Sequence, residues 1–239
     1  MEAGETAIEL ARHAGILPAF FVIENDIPAD TDIVSPGDVA EFSDAGALYI
    51  AARARLPVEA AENSEIIAFR SEADASDHVA LIIGKPDTTP PVIRLHSECL
   101  TGDILGSLKC DCGPQLQEAL RQIAGAKWGI LLYLRQEGRG IGLVNKLRAY
   151  MLQDQGFDTV DANTRLGFAI DARDFSVAAN MLRLMGINNV RLLTNNPQKV
   201  AGLEAENIQV SERLPIKITA NEHNRHYLDT KRDRTGHQL

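Results

Sequence analysis

The spacing of apolar residues predicts alternating strands and helices from about residue 79 onward. Short runs rich in apolar residues favour buried or half-buried strands at 79–84, 91–97, 129–134, 190–194 and 208–214. Between these runs, apolar residues recur every three or four positions and predict helices over 114–124, 141–153, 174–186 and 197–207. We therefore predict an α/β fold in which a mixed sheet is flanked by helices.

The first 70 residues are less regular and predict a small N-terminal appendage. The pattern predicts an amphipathic helix over 4–15, a strand over 19–24 and a turn-rich loop over 25–38. The polar, acidic stretch 71–78 is typical of a linker. We therefore divide the chain into an appendage, residues 1–70, and a main domain, residues 71–239.

Charge is divided unevenly along the chain, which agrees with two units. Residues 1–90 carry 5 Lys and Arg against 17 Asp and Glu, whereas residues 91–239 carry 19 against 16. The second part suits an anionic ligand, but it lacks dense basic runs, so we expect no nucleic-acid partner. No apolar run is long enough to cross a bilayer, and the N-terminus lacks a signal peptide's pattern. We therefore expect a cytoplasmic protein without a membrane partner.

The chain places its three cysteines, Cys99, Cys110 and Cys112, in one short stretch with the spacing Cys-x10-Cys-x-Cys. The short spacing between Cys110 and Cys112 strains a disulfide but lets both thiolates face one metal ion. Gly102 and Gly106 would let the intervening loop fold back to bring Cys99 near. Structural zinc sites have four protein ligands, whereas catalytic zinc sites keep a position for water. Three thiolates therefore favour a catalytic zinc site.

Two other interpretations of the cysteines remain open at this point. His96 lies close enough in the sequence to be a fourth ligand, which would make a closed structural zinc site. Alternatively, the three thiols are buried and inert. The helix predicted to begin at Pro114 favours the metal interpretation, because its positive N-terminal end stabilises nearby thiolates.

Several long segments resemble the signature segments of GTP cyclohydrolase II. They are "RLHSECLTGDILGSLKCDCGPQLQEAL" (94–120), "LLYLRQEGRGIGLVNKLRAYMLQDQG" (131–156), "DTVDANTRLGFAIDARDF" (158–175), "VRLLTNNPQKV" (190–200) and "YLDTKRDRTGH" (227–237). The resemblance covers about 77 to 237. That family opens the imidazole ring of GTP and releases formate and pyrophosphate. The product is 2,5-diamino-6-(5-phosphoribosylamino)pyrimidin-4(3H)-one, the first committed intermediate of riboflavin biosynthesis.

The resemblance also implies cofactors, an assembly and roles for individual residues. It implies one zinc ion on Cys99, Cys110 and Cys112, Mg²⁺ with the triphosphate, and a homodimer. It implies catalytic roles for Tyr150, Asp171 and Arg173. The nucleotide contacts that it implies are Arg94, Leu95, His96, Ser97, Glu98, Gln115, Glu137, Gly138, Arg139, Thr159, Thr194 and Lys199.

The role of Arg173 has two versions. In the family, Asp171 is a proton acceptor and Arg173 is the nucleophile that attacks the α-phosphate. Arginine is not normally deprotonated in proteins, so a clamp on the α-phosphate is the alternative.

Residue chemistry is compatible with these roles. A zinc-bound water has a pKa of about 7, which suits attack on carbon 8 of the imidazole. Helical spacing predicts that Arg139, Lys146 and Tyr150 share one face opposite an apolar face, and that the cations lower the pKa of Tyr150. The chain has no P-loop motif, but "QEGRGIG" (136–142) is a glycine-rich turn that suits an anion. Either Glu98 or Glu137 could accept hydrogen bonds from guanine.

Residues 5–25 resemble the closing segment of 3,4-dihydroxy-2-butanone-4-phosphate synthase. The acidic catalytic loop of that enzyme has no counterpart in this sequence. We therefore expect residues 1–70 to be a remnant without synthase activity, or an accessory unit that covers a dimer edge. Two alternative functions also stay open for the whole chain. They are a related enzyme of another pathway, such as uracil catabolism, and a non-catalytic regulator that binds zinc and nucleotide.

Overall fold

The computed structural model describes residues 2–14, 16–23, 28, 30–44, 48–71, 77–169, 171, 173–236 and 238. The strands within these ranges are β1 Tyr49–Arg55, β2 Ser64–Arg70, β3 His78–Gly84, β4 Val92–Ser97, β5 Trp128–Leu134, β6 Asn189–Leu193 and β7 Gln209–Leu214. The helices are α1 Glu2–His13, α2 Pro36–Asp44, α3 Cys112–Gly125, α4 Gly142–Asp154, α5 Thr159–Arg165, α6 Ser176–Leu184, α7 Pro197–Ala205 and α8 Arg225–Thr235.

The seven strands that the described residues contain form one mixed sheet in the order β1-β2-β3-β5-β4-β6-β7. Strands β1, β2, β3 and β5 pair antiparallel, whereas β5, β4, β6 and β7 pair parallel. Strand β4 lies between β5 and β6. The strand that follows β4 in the sequence, β5, pairs with one edge of β4, and the next strand, β6, pairs with its other edge. Ligands of such sheets bind in the crevice beyond the carboxyl ends of the parallel strands, where the order reverses. The topology therefore predicts a ligand site near the segments that follow Ser97, Leu134 and Leu193.

Helices cover both faces of the sheet, which confirms the predicted α/β class. On one face, Met181 of α6 and Leu203 of α7 belong to the same buried cluster as Ile93 and Ile130. On the other face, Ile123 of α3 joins a second buried cluster with strand residues. Strands β4 and β5 are buried on both faces, which explains why their apolar runs are nearly continuous.

The N-terminal region differs from the prediction in several places. Helix α1 confirms the helix predicted over 4–15, but the strand predicted over 19–24 is wrong, because residues 19–23 form no strand. Phe21 and Val22 are largely exposed there, since no neighbouring strand pairs with this segment. Residue 24 lies outside the described residues. Helix α2 begins at Pro36, inside the loop predicted over 25–38.

The sheet extends across the boundary that the sequence places at residue 70. Strand β2 pairs with β3 along its length, and Ile67 and Phe69 of β2 are fully buried in the main core. Residues 72–76 of the predicted linker lie outside the described residues, so the division into two domains stays a prediction. Among the described residues, no helix combines the length and the apolar character needed to cross a membrane.

Candidate active site

The three thiols converge where β4 ends and α3 begins. Cys99 follows β4 and begins a short π-helical turn, in which the Gly102 N–H donates to the Cys99 sulfur at 3.3 Å. Cys110 and Cys112 lie at the start of α3. The three sulfur atoms all lie within 4.8 Å of one another, and those of Cys99 and Cys110 are 3.7 Å apart. Two sulfurs at about 2.3 Å from a tetrahedral zinc ion would be about 3.8 Å apart. The thiols therefore fit a zinc ion.

His96 is not part of this cluster in the described structure. Its Nε2 atom lies 3.0 Å from a carboxylate oxygen of Asp103, and that carboxylate also accepts a hydrogen bond from the Tyr133 hydroxyl at 2.9 Å. The metal-ligand cluster consists of thiols alone. The geometry thus favours an open three-thiolate site over a closed site with His96.

Gly102 leaves the space that the three thiols need. A Cβ atom on this residue would lie 2.7 Å from the Cys110 sulfur, 2.9 Å from the Cys112 Cβ and 3.1 Å from the Cys99 sulfur. The first two distances are closer than real Cβ contacts, and the atoms involved belong to short, fixed side chains. Glycine at this position is therefore part of the thiol site.

Lys146 of α4 connects the segment that carries the three thiols, residues 99–112 (the thiol loop), to the glycine-rich turn, residues 136–142. Its ammonium group donates to the Cys99 sulfur at 3.0 Å, to the Thr101 hydroxyl at 2.9 Å and to a Glu137 carboxylate oxygen at 2.7 Å. Hydrogen bonds with Cys110 and Cys112, followed by the contact with Lys146, lower the pKa of the Cys99 thiol despite its burial. Thiolate is the form that ligates zinc.

Glu137 is buried, and both of its carboxylate oxygens are engaged. One oxygen accepts from the Leu100 N–H at 2.7 Å, and the other accepts from the Gly138 N–H at 2.8 Å as well as from Lys146. The other predicted guanine acceptor, Glu98, pairs with Arg135 at 2.8 Å. Glu137 therefore joins the turn to the thiol loop, and the choice between the two carboxylates as guanine acceptor stays open.

The prediction that Arg139, Lys146 and Tyr150 share one helix face is correct for Lys146 and Tyr150 and wrong for Arg139. Helix α4 begins at Gly142, and Arg139 precedes it in a short turn where it and Gly138 both have φ of 63°. A left-handed φ is uncommon for arginine and ends the helical register before α4. The Arg139 side chain nevertheless lines the same cleft as Lys146 and Tyr150.

The polar side of α4 faces the protein interior, and much of its apolar side is exposed. Lys146 is buried against its anionic and hydroxyl partners, whereas Val144 is 59%, Leu147 47% and Met151 65% exposed. Ile141, which directly precedes α4, was expected on the same apolar face as these three residues, but it is buried. Exposed apolar side chains that are grouped in this way are typical of interaction surfaces.

Tyr150 contacts the thiol loop through Thr101. The two side chains are hydrogen-bonded, and the Lys109 and Lys146 ammonium groups lie 5.2 and 5.8 Å from the centroid of the Tyr150 ring. Burial raises the pKa of Tyr150 to about 12, and the hydrogen bond and the charge of Lys146 oppose burial only in part. The charge of Lys146 lowers this pKa as predicted, but the predicted net lowering is wrong, because desolvation is the larger effect.

Two buried cations, Arg94 and Lys199, line the cleft together with the partly buried Arg173. The Lys199 ammonium group donates to the Leu95 carbonyl at 2.7 Å. Burial, together with the charges of Arg94 and Arg173, lowers the pKa of Lys199 well below its usual value. Burial also lowers the pKa of Arg94 to about 10. Like charges held together in a buried region provide a binding site for a polyanion.

Asp171 orients one of these cations. The Arg173 guanidinium donates to both oxygens of the Asp171 carboxylate, with an Nε–Oδ1 distance of 2.8 Å. Burial alone would raise the pKa of Asp171, but the hydrogen bonds and charge of Arg173 lower it overall. The carboxylate is consequently ionised near neutral pH, and it orients the Arg173 guanidinium.

Four residues that line the cleft each have a buried polar atom without a hydrogen-bond partner in the described part of the chain. These atoms are Arg94 Nε, His96 Nδ1, Ser97 Oγ and Asn196 Nδ2. Buried polar groups of this kind normally pair with a ligand or with water. The cleft is therefore polar enough for a polar ligand or ordered water.

The cleft brings together nearly all the residues that the sequence singled out. Its volume is about 1080 Å³, including the solvent at its mouth, and of the predicted residues only Leu95 and Asp171 do not line it. The Leu95 side chain is fully buried in the core and its carbonyl accepts from Lys199, so a nucleotide contact at Leu95 stays a prediction. Asp171 contributes by pairing with Arg173, which lines the cleft.

Sequence reasoning missed other residues that line the cleft, namely Lys109, Ile141, Ala149, Gln153, Asn163, Asn195, Asn196, Ile216, Tyr227 and Lys231. Lys146 was expected beside Tyr150 but was not among the predicted nucleotide contacts. Asn195 and Asn196 follow β6 directly, so the rule about the carboxyl ends of parallel strands could have identified them. Tyr227 and Lys231 lie in the signature-like segment 227–237, but neither a helix nor a role in the site was predicted for them.

Comparison with known proteins shows what the chain is similar to. The GTP cyclohydrolase II family model matches residues 49–215. Riboflavin biosynthesis protein RibBA of Bacillus subtilis is 53% identical over 73% of this chain and 44% of its own length. GTP cyclohydrolase-2 of Azospirillum brasilense is 49% identical over 98% of this chain and 64% of its own length. RibBA of Synechocystis sp. is 42% identical over 98% of this chain and 46% of its own length.

The alignments differ in how much of each protein they cover. This chain spans between 44% and 64% of the length of these three relatives. The family model nevertheless matches well over half of the chain, including the three thiols and the residues that surround them. The chain therefore belongs to the GTP cyclohydrolase II family.

Proposed function

We propose that the protein hydrolyses GTP, opens its imidazole ring with release of formate, and releases pyrophosphate. The product would be 2,5-diamino-6-(5-phosphoribosylamino)pyrimidin-4(3H)-one, in the first committed step of riboflavin biosynthesis. The observation that carries the proposal is that three zinc-compatible thiols line one cleft together with the cations Arg94, Arg173 and Lys199. Such a cleft suits a ligand that has both a ring to be hydrolysed and a polyphosphate.

The thiols of Cys99, Cys110 and Cys112 would hold the zinc ion. A zinc ion held there would lower the pKa of a coordinated water, which is the chemistry that attack on carbon 8 near neutral pH requires. Mg²⁺ would accompany the triphosphate, because the divalent cation neutralises charge as pyrophosphate leaves. Both cofactors are part of the proposal.

Tyr150 is the proposed proton donor at the ring end of the cleft. With a pKa of about 12, its phenol is neutral at pH 7 and can donate a proton to a nitrogen that leaves as the ring opens. Thr101 and Lys146 hold the phenol beside the thiol loop. Lys146 also keeps Glu137 in place, so the glycine-rich turn and the thiol loop face the substrate together.

Arg173 is the proposed clamp on the α-phosphate. Its bidentate pair with Asp171 fixes the guanidinium, and arginine is not normally deprotonated in proteins, which does not suit a nucleophile. Arg94 and Lys199 would bind the other phosphates as further buried cations. Their charges stabilise the negative charge that develops on the leaving pyrophosphate.

The remaining parts of the proposal concern assembly and location. We propose a homodimer, which is supported by the exposed apolar residues Val144, Leu147 and Met151. We also propose a cytoplasmic enzyme that binds neither nucleic acid nor membranes. Residues 1–70, of which 5–25 resemble the end of a synthase, are proposed to lack synthase activity.

Product analysis with the zinc-loaded protein, GTP and Mg²⁺ tests the function. We expect formate and pyrophosphate in equal amounts, together with the diaminopyrimidinone phosphate. A formamide that keeps carbon 8 would indicate a related enzyme that stops early, and unchanged GTP would indicate a binding protein. Replacing Cys110 by Ser should abolish formate release, and a variant that still releases formate would contradict the role of the thiols.

A further inference from the structure

Helix α8 lies beyond residues 49–215, the span that the family model matches, yet two of its residues line the candidate active site. We propose that α8 is part of the nucleotide site and that Lys231 positions the residues that bind GTP. Lys231 acts through Asp111 and Gln115, so it is a positioning residue. This inference rests on the proposed function, since it takes GTP as the ligand.

Helix α8 is attached to the thiol loop by specific buried contacts. The Lys231 ammonium group donates to Asp111 Oδ1 at 2.8 Å, and only 11% of the Lys231 side chain and 2% of the Asp111 side chain are exposed. Asp111 lies between the zinc-ligand candidates Cys110 and Cys112 in the sequence. The Asn224 amide, next to α8, donates to the Cys110 carbonyl at 3.5 Å. The lysine thus reaches the loop at its central residue.

A chain of hydrogen bonds continues from Asp111 to the phosphate end of the cleft. The other oxygen of Asp111 accepts from the Gln115 amide, and the Gln115 carbonyl accepts from the Arg94 guanidinium. A carboxylate can only accept and a guanidinium can only donate, so these two neighbours fix which way the Gln115 amide points. Arg94 donates its other terminal nitrogen to the Leu193 carbonyl at 3.1 Å.

This chain of hydrogen bonds ends at Arg94, a residue that lines the cleft. Arg94 Nε is buried and has no hydrogen-bond partner among the described residues, and Arg94 lines the cleft. Lys231 neutralises the buried charge of Asp111, and Asp111 can then hold Gln115 and Arg94 in one arrangement. Without the lysine, the carboxylate would attract Arg94 or water, and the preorganised site would be lost.

A purely structural role for α8 makes a different prediction. Arg234 of α8 also pairs with Asp158 at 2.7 Å, so α8 has contacts that anchor it to the fold independently of Lys231. If Lys231 served only to dock the helix, its loss would lower the thermal midpoint and leave GTP affinity unchanged. If it positions the nucleotide site, affinity falls and the lysine cannot be replaced by a neutral residue.

The experiment compares GTP affinity and thermal stability in full-length variants. The Kd for GTP is measured by calorimetry on the zinc-free chain, and KM and kcat are measured on the zinc-loaded chain. We expect Lys231→Met to raise Kd and KM roughly tenfold or more, as for a lost charge-assisted contact, with a smaller change in kcat. Lys231→Arg should restore most of the affinity. Arg232→Met is the matched control, because Arg232 is 54% exposed and pairs with Asp229 and Asp233 on the outer side of α8.

A double variant guards against misfolding caused by an unpaired buried carboxylate. Asp111→Asn with Lys231→Met removes both charges, so we expect it to fold and still to bind GTP weakly. Wild-type affinity in either Lys231→Met or the double variant would overturn the inference. Failure of the unmodified chain to bind GTP would instead overturn the proposed function, and this inference with it.

Discussion

The ammonium nitrogen of Lys146 lies 3.0 Å from the sulfur of Cys99. The sulfur of a proposed zinc ligand is therefore hydrogen-bonded to a buried cation from a different element of the fold. The same ammonium group contacts Thr101 and Glu137. Partners of this kind orient metal ligands and tune their basicity.

Replacing Lys146 by Met should weaken zinc binding. Loss of the partner of a metal ligand typically reduces metal affinity by about 10–100-fold. Competition with a chromogenic chelator measures the change. Arg148→Met is the control, because Arg148 is exposed on the same helix and donates to Asn145. Equal zinc affinity in the two variants would show that the Lys146 contact has no influence on the metal.

Replacing Gly102 by Ala should abolish zinc binding, because the added methyl group would lie 2.7 Å from the Cys110 sulfur. Gly125→Ala is the matched control: Gly125 is near the end of α3, and a Cβ there meets no atom within 4 Å. Zinc content by elemental analysis measures the outcome. One zinc per chain in the Gly102→Ala protein would contradict the described geometry of the loop.

Replacing Tyr150 by Phe should slow formate release while GTP and zinc still bind. Loss of a general acid typically lowers the rate by about 10²–10⁴-fold. The ring remains to fill the same space, so the thermal midpoint should change little. Formate release at saturating GTP is the measurement. A rate within a few-fold of the unmodified protein would exclude the phenol from the chemistry.

The pair formed by Asp171 and Arg173 should make stability depend on pH in acid. Arg173 lowers the pKa of Asp171 in the folded protein. The pair therefore contributes fully above the unfolded pKa of about 3.9, and the contribution is lost as pH falls through the lowered folded pKa. We expect Asp171→Asn to cost about 1.5–3 kcal/mol at pH 7 and progressively less below pH 4. Urea unfolding of both proteins at pH 7 and pH 3 measures this difference, and a constant difference would contradict the assignment.

Periodicity was sufficient to predict the central part of the fold. Strands β3 to β7 and helices α3, α4, α6 and α7 lie within a few residues of their predicted positions. Strand β1 was missed because it is an edge strand whose residues are mostly exposed, so it has no continuous apolar run. Helix α8 was missed because it is strongly polar, and specific ion pairs such as that of Lys231 with Asp111 hold it in place.

The thiol site was predictable from spacing, whereas the surroundings of the thiols were not. Sequence proximity among Cys99, Cys110 and Cys112 was enough to infer a shared ion. The position of Arg139 was mispredicted, because helical spacing cannot reveal a left-handed turn before α4. The pKa shift of Tyr150 was mispredicted in sign, since nearby charges can be inferred from helical spacing but the degree of burial cannot.

The carboxylate of Glu137 is shared between the thiol loop, through Leu100, and the glycine-rich turn, through Gly138. A bound ion that restricts the motion of the thiol loop should therefore also restrict the motion of the glycine-rich turn. Thermodynamic linkage requires the effect to be mutual, so the factor by which zinc strengthens GTP binding must equal the factor by which GTP strengthens zinc binding. Metal availability in the cell would then set the threshold concentration at which the protein responds to GTP.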